Sequence, residues 1–189
     1  MNVLYHASRV PNLTKLEPRI SNHGTPLVYL ADKRASVLVY LSNPVERHCK
    51  RIGFAHEGSF YKFASYGFLP DGKPVLEEYY KDALSDGYAG VSGWIYSVKP
   101  ENCAPLKDIP GAYISEKPVQ VMEAEFVPDA YEAILQAERE GTILIRRYQD
   151  HSPEKIGWIA KMAKAEYQKS EKYPEYRVFL RAKFSEYLD

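Results

Sequence analysis

Cysteine is nearly missing from this chain. Its 189 residues include two, Cys49 and Cys103, too few for a disulfide-stapled scaffold or a cysteine-rich zinc site. Free thiols and a reducing compartment are the expectation. An excess of one charge is missing too: Lys+Arg and Asp+Glu each number 25, so no global field draws the chain to nucleic acid or membrane. No apolar run approaches the ~18 residues of a membrane helix, and Met1-Asn2-Val3-Leu4-Tyr5 lacks a basic region followed by a long apolar core. A cytoplasmic protein without a membrane partner is expected. Gly-x-Ser-x-Gly, P-loop, His-Glu-x-x-His and dinucleotide glycine motifs are absent. His23, His56 and His151 show no metal-ligand spacing, so no metal is expected. Cys49 follows His48, but neighbours on a helix point apart, which argues against a nucleophile pair.

What is present is an ordinary globular composition, 45 % hydrophobic and 26 % charged, in a chain of single-domain length. Tyrosine is the outlier, at 16 residues. It combines a stacking face with a hydroxyl, which suits a binding cleft.

The pattern predicts a short strand over residues 2–6 ending at His6, a loop over 11–25 rich in turn formers, and a buried strand Pro26 to Ala31. Asp32 is positioned to cap a helix from Lys33 to about Ser42, stopped by Pro44. Strands or a hairpin are expected over 52–81, around Pro70-Asp71-Gly72-Lys73, with a short helix from Glu77 to Leu84. Further strands are predicted at Trp94 to Val98, Ala112 to Ser115, Val119 to Phe126 and Ile143 to Ile145, and a helix at Pro128 to Glu140. Ser152-Pro153-Glu154 supplies an N-cap, an N1 proline and a first-turn acid. Ile156, Ile159, Ala160, Ala163 and Tyr167 then share one face, and a second helix from Pro174 carries Tyr176, Phe179, Leu180 and Phe184. Lysines and arginines on these two helices alternate with glutamates, as on a solvated face.

Chemistry concentrates near the N-terminus. A histidine closing a strand, with two tyrosines eleven positions apart in Tyr29-Leu30-Ala31-Asp32 to Tyr40, can border a slot for a flat ligand. An electron-poor cationic ring between aromatic faces gains about 0.5 to 2 kcal/mol from cation–π attraction.

Leu4-Tyr5-His6-Ala7-Ser8-Arg9 resembles the first block of the ADP-ribosyltransferase superfamily, in its diphtheria-toxin-like and poly(ADP-ribose) polymerase branch, where the pattern is apolar-aromatic-His-Gly-Ser. Val28-Tyr29-Leu30-Ala31-Asp32 with Tyr40 resembles the second block, including its tyrosine spacing. The resemblance implies an α+β fold, a split β-sheet core with peripheral helices over 1–150; the two helices over 151–189, read from their own apolar stripes, form a C-terminal helical hairpin packed on that core and have no counterpart in the family pattern. The resemblance implies NAD as substrate, bound by His6, Ala7, Ser8, Tyr29 and Tyr40. His6 would hold the adenosine ribose, the tyrosines would enclose the nicotinamide, and the Ala7 backbone would pair with its carboxamide. ADP-ribose would pass to an acceptor that the sequence does not specify.

The third block, Glu-Tyr-Ile followed by proline, has its best counterpart in Ala112-Tyr113-Ile114-Ser115-Glu116-Lys117-Pro118. Alanine stands where the family has its acid. Glu116 is the candidate replacement, about 13 Å along a strand from Ala112, and Glu123 and Glu125 are alternatives. The serine of the second block falls on Val37, beside Ser36. Two other readings follow: a degenerate member that binds a nucleotide or protein without catalysis, and an RNA 2′-phosphotransferase-like enzyme using Arg9, Arg34 and Arg51 for phosphate.

Overall fold

The computed structural model describes residues 3–20, 24–57 and 66–188. The aromatic run at 59–63 and His23 lie outside them. In chain order the strands are β1 (Leu4–Ser8), β2 (Lys15–Leu16), β3 (Arg19–Ile20), β4 (Pro26–Ala31), β5 (Tyr66–Phe68), β6 (Pro74–Glu77), β7 (Gly93–Val98), β8 (Ala104–Pro105), β9 (Ala112–Ser115), β10 (Val119–Val127) and β11 (Leu144–Arg146). The helices are α1 (Arg34–Val37), α2 (Pro44–Arg51), α3 (Ala83–Tyr88), α4 (Ala130–Arg139), α5 (Pro153–Lys169), α6 (Pro174–Lys183) and α7 (Ser185–Leu188). The chain is α+β, divided into two compact units. One comprises Met1–Ser42, Tyr66–Leu76 and Tyr88–Leu144, the other Asn43–Ser65, Glu77–Gly87 and Ile145–Asp189.

The first unit is built on one antiparallel sheet in the order β2-β10-β7-β1-β4-β9-β8, with β3 also paired to β4. β1 pairs with β7 along its whole length, from Leu4 opposite Val98 to Ser8 opposite Trp94. Its register with β4 is a single pair, Tyr5 opposite Ala31. Beyond that pair the two strands part, so the sheet forks there.

The sheet also folds over. Residues 116–118 alone join β9 to β10, and four Cα steps reach at most about 14 Å. Four strand spacings in a flat sheet would need about 19 Å. Leu4, Val28, Leu30, Tyr96, Val98 and Val119, drawn from both halves, fill the inside of the fold with Leu16. The fully buried Tyr96 ring carries a polar tip: its hydroxyl donates to the Val10 carbonyl at 2.6 Å and accepts from Leu13 N–H at 3.3 Å. That holds the segment after β1 against the sheet.

The single helix expected from Lys33 to Ser42 is two pieces. Asp32 does not cap it; the N-cap is Lys33 without a side-chain bond, and α1 tightens into a 3-10 turn over Leu38–Leu41. Asp32 is engaged elsewhere. Its N–H donates to the Gly111 carbonyl at 2.9 Å, and a Cβ on Gly111, whose φ is +75°, would stand 2.5 Å from its Oδ1. In the run Val37-Leu38-Val39, buried throughout, the two β-branched valines lose rotamer freedom in a regular helix and weaken it there. Pro44 is a beginning rather than only a stop: it is the first residue of α2, capped by Asn43.

The turn at Pro70 to Lys73 closes the β5/β6 hairpin, Tyr66 opposite Leu76. Residues 77–84 are not a continuous helix. Asp82 takes a left-handed φ of 60°, which interrupts any helix through it, so α3 starts at Ala83. The sequence-predicted strand at 143–145 lies one residue later, at Leu144–Arg146.

The second unit packs α2, α5 and α6 around Val45, Cys49, Tyr80, Ile159, Ala163, Phe179, Leu180 and Phe184. Ser152 caps α5 as expected, accepting from Lys155 N–H at 3.3 Å. Thus the helical hairpin after residue 151 shares its core with segments from the middle of the chain. Two carboxylates tie these segments together. Glu78, 6 % exposed, accepts from Leu84 N–H at 2.9 Å and Tyr148 N–H at 3.1 Å. Asp86 accepts from Arg51 at 2.7 Å, Lys183 at 2.7 Å and the Tyr80 hydroxyl at 2.9 Å.

Candidate functional site

The fork between β1 and β4 is where two of the sequence-predicted residues, His6 and Tyr29, meet. His6 Nδ1 lies 2.8 Å from the Tyr29 carbonyl oxygen. A carbonyl only accepts, so Nδ1 carries the proton. Because the Tyr29 carbonyl faces His6, it points into the fork.

Ala7 faces the same gap. The Ser8 carbonyl lies 3.1 Å from where a Cβ on Gly93 would stand, so it points toward β7. In an antiparallel sheet successive residues turn their N–H and C=O to opposite sides. The Ala7 N–H and C=O therefore point toward β4, as do those of Tyr5, which pairs there. Continued regularly, the register would set Ala7 opposite Tyr29, but the strands have parted and the imidazole has taken the Tyr29 carbonyl. An adjacent donor and acceptor on one edge of Ala7 match the two hydrogen-bonding atoms of a primary carboxamide.

Ser8 turns its side chain to its own loop, with Oγ accepting from Val10 N–H at 3.1 Å. Tyr29 is half-buried on β4, opposite Ile114 of β9. Tyr40 lies on the 3-10 turn, its ring edge-on to Tyr66 with centroids 5.6 Å apart. Burial, followed by the neighbouring Tyr66, pushes its phenol well above the usual tyrosine range. It is a neutral, stacking ring at any physiological pH.

The acids are placed differently from one another. Ala112 sits opposite Ala31 at the start of β9, next to the Asp32–Gly111 latch, and offers only a methyl. Glu116 is exposed in the turn after β9, where Lys117 N–H donates to Ser115 Oγ at 3.2 Å. Glu125 lies on the sheet itself, opposite Ile95, which is opposite Ala7. Two strand spacings put its Cα about 10 Å from that of Ala7, with both side chains on the same face. Arg34, in the first turn of α1, grips Glu125 with both ends of its guanidinium, Nε to Oε2 at 2.8 Å and a second bond from Nη2 to Oε1. Hydrogen bonding from Arg34 holds the Glu125 carboxyl below the usual range, and the same bond raises Arg34. The pair spans 91 positions, so only the alternation of Glu123 and Glu125 along a strand hinted at it.

A cavity of roughly 350 Å³ is lined by Lys33, Arg34, Asp71, Lys73, Glu140 and Thr142; it includes Arg34, a candidate of the phosphotransferase reading, and none of the residues expected to hold NAD. Cys49 is fully buried, its Sγ 3.6 Å from the Glu175 carbonyl, and burial pushes its thiol up. His48 Nδ1 accepts from Arg51 at 3.2 Å. The two neighbours thus face different partners. Among the described residues no three His, Cys, Asp or Glu side chains converge as a metal site would require, and no helix is long and apolar enough to cross a membrane. No protein-family model, curated protein or solved structure was found to match the chain.

Proposed function

We propose that the protein binds NAD in the fork between β1 and β4 and acts as an ADP-ribosyltransferase-like enzyme, passing ADP-ribose to an acceptor. The observation that carries this reading is the parting of β1 from β4 directly after Tyr5 and Ala31, which leaves the Ala7 N–H and C=O turned toward the gap beside His6. The carboxamide of nicotinamide pairs with Ala7, Tyr29 and Tyr40 border the ring, and His6 holds the adenosine ribose. In the reaction the C–N bond between ribose and nicotinamide breaks, nicotinamide leaves with the bonding pair, and the acceptor's nucleophile closes on the ribose carbon. A carboxylate near that carbon lowers the barrier by facing the positive charge that develops. Glu125 is better placed for this than Glu116, since it shares a face and a row with Ala7. Its pair with Arg34 must open or tilt for that role.

Ala112 favours a second reading, in which the fork binds NAD or a related nucleotide without turnover. The 2′-phosphotransferase reading finds less support, because Arg34 and Arg51 are engaged by Glu125 and Asp86.

Two measurements separate these readings. Millimolar NAD should raise the melting temperature, and His6→Ala should abolish the shift; no shift in the unsubstituted protein removes the nucleotide site altogether. Labelled NAD with a lysate should then transfer label in a manner dependent on Tyr29 and Glu125. Binding without label transfer leaves the second reading standing alone.

A further inference from the structure

The cavity of roughly 350 Å³ at the start of α1 plays no part in the fork. Three segments of the first unit build it: Lys33 and Arg34 where α1 begins, Asp71 and Lys73 of the β5/β6 turn, and Glu140 and Thr142 just after α4. These side chains bring three cations and two carboxylates. What decides the chemistry is which of their hydrogen-bonding atoms are already spent.

Arg34 has five N–H donors in a planar fork. Glu125 takes one edge of it, from Nε and Nη2, and that pair stays closed. The other edge, both N–H groups of Nη1 and the second of Nη2, meets no acceptor among the described residues. The Lys33 ammonium gives one of its three donors to the Asp71 carbonyl at 2.8 Å, and the Lys73 ammonium gives none among the described residues. The acids are partly used. Asp71 Oδ1 accepts from Lys73 N–H within its own turn at 2.9 Å, and Glu140 Oε1 accepts from Gln136 Nε2 at 2.7 Å. Glu140 Oε2 still accepts, as does the Thr142 hydroxyl, whose own proton goes to the Ala137 carbonyl at 3.0 Å.

A metal ion would meet more positive than negative side chains here, and a neutral sugar would leave the two ammonium groups unmatched. A sugar phosphate answers both sets: phosphate oxygens accept from Lys33, Lys73 and the open edge of Arg34, while sugar hydroxyls donate to Glu140 and Thr142. Because Glu125 already balances the charge of Arg34, the net attraction comes from the two lysines, and Arg34 supplies direction. Arg34 and Lys33 are each tied in place by protein acceptors, which lowers the ordering cost of binding. We propose that this cavity is a binding site for a small sugar phosphate, separate from the fork and independent of whether the fork takes NAD.

The test titrates the full chain with glucose 6-phosphate, inorganic phosphate and glucose, and follows the backbone amide shifts. Glucose 6-phosphate should bind most tightly, phosphate more weakly and glucose not detectably, with shifts centred on residues 33–35, 71–73 and 140–142. Lys33→Gln combined with Lys73→Gln should weaken both phosphates at least about tenfold and leave the melting temperature without ligand unchanged. Glu140→Gln should narrow the gap between glucose 6-phosphate and phosphate, and His6→Ala should alter neither. No binding of either phosphate at millimolar concentration, undiminished binding by the double lysine variant, or glucose binding as tightly as its phosphate would overturn the proposal. So would shifts centred on β1 and β4 with binding lost in His6→Ala, which would put the phosphate in the fork instead.

Discussion

Asp86 joins three segments of the second unit through one carboxylate, and its removal should be costly. Its carboxylate, with 18 % of the side chain exposed, gathers Arg51 of α2, Lys183 of α6 and the Tyr80 hydroxyl. Burial alone would push its carboxyl up; hydrogen bonds from Lys183, Arg51 and Tyr80 outweigh that and bring it from 3.8 down to about 2. The native state thus binds fewer protons than the unfolded chain between those two values. The stabilisation is fully present above the unfolded value of about 4 and is lost as pH falls toward 2. A displacement of nearly two pH units corresponds to about 2 kcal/mol. Asp86→Asn should remove that amount at pH 7 and somewhat more, because Arg51 and Lys183 are left facing each other and His48, which accepts from Arg51. The expected loss is about 2 to 4 kcal/mol, read from urea melts at pH 7, 4 and 2.5, with the difference between variant and parent shrinking over the lower two. A loss below about 0.5 kcal/mol at pH 7, or a difference that does not shrink in acid, refutes the hub.

Other positions give separate tests. Gly111→Ala forces a Cβ to within 2.5 Å of Asp32 Oδ1 at a φ of +75°; a loss of about 1 to 3 kcal/mol is expected in thermal or urea unfolding. Asp32→Ala in the same background should recover only the steric part. Glu78→Ala removes the acceptor for two backbone N–H groups and should cost about 2 to 5 kcal/mol, with faster amide exchange at Leu84 and Tyr148. Tyr96→Phe deletes the bonds to Val10 and Leu13 at about 1 to 2 kcal/mol, and exchange at Leu13 should quicken. His48 is held neutral, its ring shifted down chiefly by burial and then by Lys183 and Arg51. Stability should therefore fall as pH drops below about 6.5, and His48→Gln should flatten that part of the profile.

Elements whose signals are local were legible in the sequence. β4, β7, β9 and β10 follow from short apolar runs bounded by turn residues, and the start of α5 follows from Ser152-Pro153-Glu154. Where tertiary contacts override local chemistry, the reading departs. Asp32 has the right chemistry to cap a helix, but Gly111 across the fold takes it. Asp82 adopts a left-handed conformation that its residue type permits without requiring. Pro44 both ends one segment and begins α2, and only the first role was read. Of the candidate site, His6 and Tyr29 were singled out from sequence and are joined by a hydrogen bond. The fork itself was invisible, because the register between β1 and β4 is set by how the sheet folds over and by no residue near Ala7. The Arg34–Glu125 pair was hidden for the same reason, its partners standing 91 positions apart.

A crystal of the full chain grown with nicotinamide or NAD tests the fork most directly. Density for the carboxamide on the Ala7 N–H and C=O, with the ring bordered by Tyr29 and Tyr40, is the expected result. An empty fork at millimolar ligand, or NAD seated only in the cavity beside Arg34, would contradict it.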